Sequence, residues 1–104
     1  MTDDEQVLTA KRIRYYSEND ESAFFEWLDK IGCVTRYEGQ LDVLYIYVDG
    51  GKMDEYALRE LLSLFRRYGV DMKQLVAFDS DEYAAWFRDP QKYWHRAVFG
   101  DVVD

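Results

Sequence analysis

The stretch LDVLYIYV, residues 41 to 48, most limits what this chain can fold into, because it is apolar on both sides of an extended backbone. Side chains alternate between two faces along a strand. The two sets are Leu44, Ile46 and Val48 on one face, and Val43, Tyr45 and Tyr47 on the other. A strand with two apolar faces is typical of the middle of a sheet. The pattern therefore predicts a central strand with a neighbour on each side.

Shorter patterns predict the neighbouring strands. CVTRYE, residues 33 to 38, precedes the central strand, and Gly39 and Gln40 between the two indicate a hairpin turn. In KRIRYY, residues 11 to 16, apolar and polar side chains alternate with a period of two, which predicts the first strand. We expect residues 1 to 10 to form an acidic flexible tail and residues 101 to 104 to form a C-terminal tail.

Two main helices are predicted from apolar stripes with helical spacing. The first begins at Ser17, with Asp20 in the position of a capping-box acid, and Gly32 is placed to end it. The second lies in MDEYALRELLSLFRRYGV, where Asp54 is the N-cap and Gly69 ends the helix.

These elements predict an α+β fold, a small antiparallel sheet of about three strands packed on two main helices and followed by short C-terminal helices. We expect a single domain over residues 11 to 100. QLVAF, residues 74 to 78, decides between this fold and a ferredoxin-like β-α-β-β-α-β sandwich, in which it would be the fourth strand. Asp71 and Gln74 form a capping-box pair, which favours a short helix.

Composition limits the compartment and the partners. Cys33 is the one cysteine and cannot form an internal disulfide, so we expect a reducing, cytoplasmic compartment. No apolar run approaches the roughly 20 residues that span a bilayer, so no membrane partner is expected. The formal net charge is −8; without the five acidic residues of the predicted tails, 16 acidic residues remain against 13 basic ones. This acidic balance and the missing RNA-recognition motif disfavour nucleic acid as a partner.

The chain's one histidine, His95, lies in KYWHRAVFG, residues 92 to 100. A helix beginning at Pro90 would bury one stripe and leave the other side outward. The predicted buried stripe is Tyr93, Trp94, Ala97 and Val98, and the outer side carries Lys92, His95 and Arg96. These three outer residues form an alternative ligand site. A metal site needs two or more further ligands, and the sequence has no second histidine to provide one, so we expect neither a metal nor a cofactor.

Aromatic residues of the sheet are the main candidates for a binding surface. Tyr45 and Tyr47, with Tyr37 from the neighbouring strand, are predicted to form an aromatic patch of the kind that protein interfaces favour. The C-terminal helices could instead cover this face. We expect a non-enzymatic interaction module that binds a protein partner or itself, as an antitoxin or immunity protein does. The alternative is a small-ligand binder or enzyme that uses His95, Cys33 or the acidic residues near Asp79.

Three segments resemble those of a group of short uncharacterised bacterial proteins. They are RYYSENDESAFFEWL, LRELLSLFRRYGVDMKQL and YWHRAVFG. The resemblance runs from about Arg12 to Gly100 and leaves out only the two tails. It implies a bacterial cytosolic origin. It implies no activity, cofactor or catalytic residue, so no site residue follows from it.

Overall fold

A computed structural model describes residues 4–100 as a three-stranded antiparallel sheet with helices on one face. The strands are β1 (Glu5–Lys11), β2 (Val34–Gln40) and β3 (Val43–Asp49), arranged in the order β1-β3-β2. The main helices are α1 (Glu18–Asp29) and α2 (Glu55–Tyr68). β3 is therefore the central strand, as its two apolar faces predict, and the predicted α+β fold is confirmed.

Short helical segments follow α2. Two 3₁₀ helices, Lys73–Phe78 and Asp81–Tyr83, precede α3 (Ala84–Phe87) and α4 (His95–Phe99). Residues 74 to 78 are thus helical, as predicted, but the helix has Met72 as its N-cap and no side-chain cap hydrogen bond, so the predicted capping box does not form. Between residues 4 and 100 no fourth strand joins the sheet, so the ferredoxin-like alternative is wrong. A further 3₁₀ turn, Gly50–Lys52, connects β3 to α2.

The two main helices begin where their capping residues predict. The Ser17 side chain accepts a hydrogen bond from the backbone of Asp20, and the Asp54 side chain accepts one from Ala57 at 2.8 Å. Each bond satisfies a helix N–H that has no partner within the helix. Gly69 ends α2 with a φ of 69°, as expected for a left-handed C-cap.

The core lies between the inner face of the sheet and the helices. Leu8, Ile46 and Val48 supply the sheet side. The helical side is built mainly by fully buried residues of α1, α2 and the C-terminal segment: Phe24, Leu28, Leu58, Leu61, Leu62, Phe65, Leu75 and Phe87. This one-sided arrangement leaves the opposite face of the sheet outside the core.

The first strand lies earlier than its sequence pattern predicts. The prediction of a strand over residues 11 to 16 is wrong, and residues 5 to 10, assigned to the acidic tail, belong to β1. All seven residues of β1 pair with β3, from Glu5 opposite Asp49 to Lys11 opposite Val43, and this pairing satisfies backbone N–H and C=O groups along the length of the central strand. Arg12 then adopts a φ of 54° and turns the chain towards α1. Residues 1–3 and the predicted C-terminal tail lie outside the described residues.

The hairpin turn and two other boundaries also differ from the sequence-based expectations. Leu41 and Asp42 form the turn, whereas Gly39 and Gln40 lie within β2. α1 ends at Asp29. The next backbone N–H groups, of Lys30 and Ile31, donate to carbonyls three residues earlier, as in a 3₁₀ turn, and the α-helical pattern stops there. α4 begins at His95 instead of Pro90, because Asp89 starts a separate turn by accepting from the backbone of Gln91.

A bulge near the start of β2 decides which way its side chains point. Val34 pairs with Val48, but Arg36 pairs with Tyr47, so one extra residue, Thr35, is accommodated between them. The Thr35 hydroxyl donates to the Tyr47 carbonyl at 3.3 Å. One extra residue reverses the alternation of everything that follows.

Candidate functional site

The outer face is the side of the sheet that points away from the helices. Strand alternation and pairing register define its members. They are Glu5, Val7, Thr9 and Lys11 from β1, Val43, Tyr45, Tyr47 and Asp49 from β3, and Arg36, Glu38 and Gln40 from β2. An apolar centre, built from Val7, Tyr45, Tyr47 and Val43, is thus framed by charged residues.

No described helix contributes to a core on this face. Leu44 and Tyr37 pack against the core from the inner face, but Val43, Tyr45 and Tyr47 are not among the side chains that do so. Val7 is 47% exposed, while Tyr45 and Tyr47 are partly exposed. The C-terminal segment joins the inner face instead, through Leu75 and Phe87. The alternative in which the C-terminal helices cover the tyrosines is therefore wrong for residues 4–100.

Tyr37 does not share the face of Tyr45 and Tyr47. It pairs with Ile46 on the inner side of the sheet, because the bulge at Thr35 reverses the alternation of β2. Its ring lies 5.2 Å from that of Phe25, and its hydroxyl donates to Asp29 Oδ1 at 2.8 Å. This hydrogen bond, with desolvation, raises the pKa of Tyr37. The prediction that Tyr37 belongs to the aromatic patch is wrong.

Arg36 takes the place on the outer face that was expected of Tyr37. Its guanidinium carbon lies 3.6 Å from the centroid of the Tyr47 ring, a cation–π contact, and it forms an ion pair with Glu38. Desolvation acts to lower the pKa of Arg36, but the Glu38 hydrogen bond and the nearby charges of Glu38 and Glu5 raise it overall. The outer face therefore carries, beside its apolar centre, an arginine held by two contacts, which the strand pattern of the sequence did not reveal.

Gln74 closes part of the free edge of β1. Its side-chain oxygen accepts from the Thr9 backbone N–H at 2.9 Å, and its nitrogen donates to the Thr9 carbonyl at 2.8 Å. This pair of bonds imitates a neighbouring strand, which protects the edge from pairing with another chain. The Gln74 nitrogen also donates to the Asp71 carbonyl, so the predicted association of these two residues takes this form. From the sequence, Gln74 was predicted only as a helix-capping residue, and its hydrogen bonds to the edge of β1 were not predicted.

The predicted ligand site at Lys92, His95 and Arg96 lies in the C-terminal segment. The His95 ring is 5.2 Å from that of Phe99, and the His95 backbone donates to the Lys92 carbonyl. Lys92 and Arg96 are exposed. This segment is fixed by its other side, since Trp94 and Val98 are buried and the Trp94 indole donates to the Phe87 carbonyl at 2.8 Å.

Tyr93, predicted to share this buried stripe, is 48% exposed. That expectation is wrong, because residues 91 to 94 form turns and not the first turn of a helix. The burial of Trp94 and Val98 indicates that the segment closes the core.

Cys33 is poorly suited to act as a nucleophile. It is completely buried, and desolvation raises the pKa of its thiol to about 11; a backbone hydrogen bond acts to lower this pKa, while the charges of Asp54 and Asp49 act to raise it. The thiolate is the reactive form of cysteine. At neutral pH the side chain therefore remains a protonated, apolar part of the core.

Two of the acidic residues in this segment, Asp79 and Asp81, are paired with an arginine. Arg88 binds Asp79 at 2.8 Å and Asp81 at 3.5 Å. Asp79 and Glu82 line an open cleft of about 480 Å³ that also includes Ser80. Neither Cys33 nor His95 lines this cleft. Within the described part of the chain, no group of three or more acidic, histidine or cysteine side chains is placed to hold a metal ion.

Comparison of the chain with protein-family models, with curated proteins and with solved structures finds no match. The fold and the outer face therefore carry the functional argument alone. Among residues 4–100, no helix has the length and apolar character needed to cross a bilayer.

Proposed function

We propose that this chain is a cytoplasmic protein-interaction module whose outer face binds a protein. The observation that carries the proposal is the open side of the central strand, where Tyr45 and Tyr47 lie outside the core. A small domain gains stability by covering apolar strand residues. The position of Tyr45 and Tyr47 outside the core is therefore better explained by a partner that covers them.

The composition of the outer face supports a protein as the partner. Tyrosine and arginine are enriched at protein interfaces, and Arg36 stacked on Tyr47 presents both in a fixed arrangement. Glu5, Glu38 and Asp49 lie on the same face, which disfavours a polyanion such as nucleic acid. An interaction of the antitoxin or immunity type is one form that such a module takes.

The second candidate, a small-ligand or enzyme site, has less support. It needs reactive or convergent groups, but Cys33 is buried with a raised pKa and Asp79 is paired with Arg88. His95 lies beside Phe99 in the segment that closes the core.

A double substitution on the outer face tests the proposal. Val7→Thr with Tyr45→Thr removes apolar surface while keeping residues that favour strands, so we expect the fold to persist. Binding would be measured by sedimentation of the purified protein and by capture of partners from nuclease-treated lysate. The proposal predicts that association by either measure falls, while the matched control Tyr56→Gln, at a tyrosine of α2 that is 63% exposed, leaves it unchanged. Equal association for wild type and double variant would contradict the proposal.

A further inference from the structure

We infer that the partner of the outer face is the outer face of a second copy of this chain, in a two-fold symmetric dimer of stacked sheets. The inference rests on the proposed function and names its partner. Its basis is the order of charges along β1 and β2, which is complementary to itself under one particular rotation.

Glu5 and Lys11 occupy opposite ends of β1 on the outer face. Leu8 lies midway between them, three residues from each, and pairs with Ile46 at the middle of β3. The salt bridges formed within residues 4–100 do not include either Glu5 or Lys11. Both charges are exposed and remain available to a partner.

A two-fold axis that lies in the interface, perpendicular to the strands and level with Ile46, exchanges the two ends of the sheet. It places β1 over β1 of the second copy in the opposite direction, so Glu5 faces the second Lys11. The same axis places Tyr45 over the second Tyr47, because these residues flank Ile46. The charged ends and the aromatic centre thus match in a single rotation.

The charges of β2 obey the same symmetry. Arg36 lies level with Tyr47, and Glu38 lies level with Tyr45. The rotation therefore brings Arg36 of one copy over Glu38 of the other, and the ion pair within each copy becomes a cluster of four alternating charges. Asp49 lies beside Glu5 and adds a second carboxylate opposite Lys11.

A different axis gives no such match. If the axis ran parallel to the strands, β1 would lie over β2 of the second copy at the same level. Lys11 would then face Gln40, and Arg36 would face Val7, so no opposite charges would meet. The order of charges selects the perpendicular axis.

The charge of the whole chain also favours a second copy over a strongly charged partner. The outer face carries three acidic and two basic residues, nearly balanced within a chain of net charge −8. A partner whose charged residues all had the same sign would repel either the acidic or the basic residues of the outer face. At physiological salt, charges more than about 8 Å apart are largely screened, so the remaining acidic surface does not prevent association.

The size of the face sets the expected strength. Seven-residue strands in a three-stranded sheet give a face of roughly 23 by 14 Å. At roughly 320 Å², this face is less than half of the about 800 Å² per partner that standard protein interfaces bury, so it belongs with weak, transient interfaces. We expect a weak dimer with a dissociation constant in the micromolar range and two sheets about 10 Å apart.

Charge reversal provides a test that only this geometry passes. Glu5→Lys alone places a new lysine against Lys11 of the other copy at both ends of the dimer, and Lys11→Glu alone places a new glutamate against Glu5 in the same way. Each variant should dimerise roughly ten- to thirtyfold more weakly than wild type. A mixture of the two variants restores opposite-charge contacts in the heterodimer, and the double variant E5K/K11E restores them in a homodimer. Sedimentation equilibrium at low and high salt measures the dissociation constant for each single variant, for their mixture and for the double variant. Circular dichroism checks that each variant is folded.

The matched controls are Lys73→Glu and Glu26→Lys, two exposed charges on the helical side. Neither control should weaken the dimer, and mixing them should give no gain. A wild-type protein that remains monomeric at millimolar concentration would overturn the inference, and so would a double variant E5K/K11E that dimerises no more strongly than either single variant. If the wild type is monomeric but Val7→Thr/Tyr45→Thr still loses lysate partners, the dimer fails while the proposed function stands.

Discussion

At the tip of the β2–β3 hairpin, Leu41 adopts a φ of 58° while its side chain is fully exposed. A left-handed backbone costs a residue with a Cβ about 1 kcal/mol, and here no burial compensates for that cost. Leu41→Asn should therefore raise the free energy of unfolding by about 0.5–1 kcal/mol, because asparagine tolerates this conformation. Urea denaturation measures the change.

Leu41→Ala is the matched control for this prediction. It removes the same exposed side chain but keeps the Cβ, so the left-handed conformation remains costly and no comparable gain is expected. An equal gain for alanine and asparagine would show that the exposed leucine itself, and not its backbone, destabilises the turn.

The Cys33 thiol makes stability depend on alkaline pH. Its pKa is raised from 9.0 to about 11 in the folded protein, so the folded state favours the protonated form. The corresponding stability is complete below about pH 9 and is lost as the pH rises towards about 11, to an extent on the order of 2 kcal/mol. Urea denaturation between about pH 8 and pH 10.5 should show a steeper loss for wild type than for Cys33→Ala. Parallel pH profiles would contradict this cause.

On the scale of elements, Gln74 connects the C-terminal segment to the edge of β1. Gln74→Ala removes both bonds to the Thr9 backbone and should lower the free energy of unfolding by about 1–2 kcal/mol. Amide hydrogen exchange at Thr9 should accelerate at the same time. The exposed Gln91 offers a control, since Gln91→Ala should change stability by less than about 0.5 kcal/mol. Unchanged exchange at Thr9 would show that the edge is protected by something else.

Elements whose signals are local were predicted well from the sequence. α2 carries its apolar stripe, its Asp54 cap and its Gly69 terminus within one continuous stretch, and all three hold in the structure. β1 was misplaced because its identity depends on pairing with β3 more than on its own composition. Asp4, just before the strand, and Glu5, its first residue, resemble a tail, although Leu8 and Ala10 are buried.

The candidate site was predicted only in part for the same reason. The alternation of β3 correctly separates Tyr45 and Tyr47 from Ile46. The location of Tyr37 depends on the bulge at Thr35, whose hydrogen bond joins residues in different strands. No pattern within β2 marks the extra residue, so the exchange of Tyr37 for Arg36 on the outer face could not be predicted.

On the scale of the whole molecule, the core is continuous from β1 to α4, so we expect cooperative unfolding. Trp94 is buried and tied to the Phe87 carbonyl, and Phe87 is itself fully buried. In a Trp27→Phe background, fluorescence reports on the C-terminal tryptophans, while far-ultraviolet circular dichroism reports mainly on α1 and α2. The two urea transitions should coincide, as for other small two-state domains. An earlier fluorescence transition would show that the C-terminal segment unfolds separately.

The bulge at Thr35 also has a consequence for which deletions the protein tolerates. Loss of the Thr35 codon would remove the bulge without exchanging the two sides of β2, because Val34 and Arg36 already pair with the consecutive residues Val48 and Tyr47. Arg36 would stay on the outer face, and Tyr37 would stay opposite the buried Ile46. Loss of the Tyr37 codon would instead bring Glu38 opposite Ile46 and place a charge in the core, so lineages that retain the fold are expected to tolerate the first deletion and not the second.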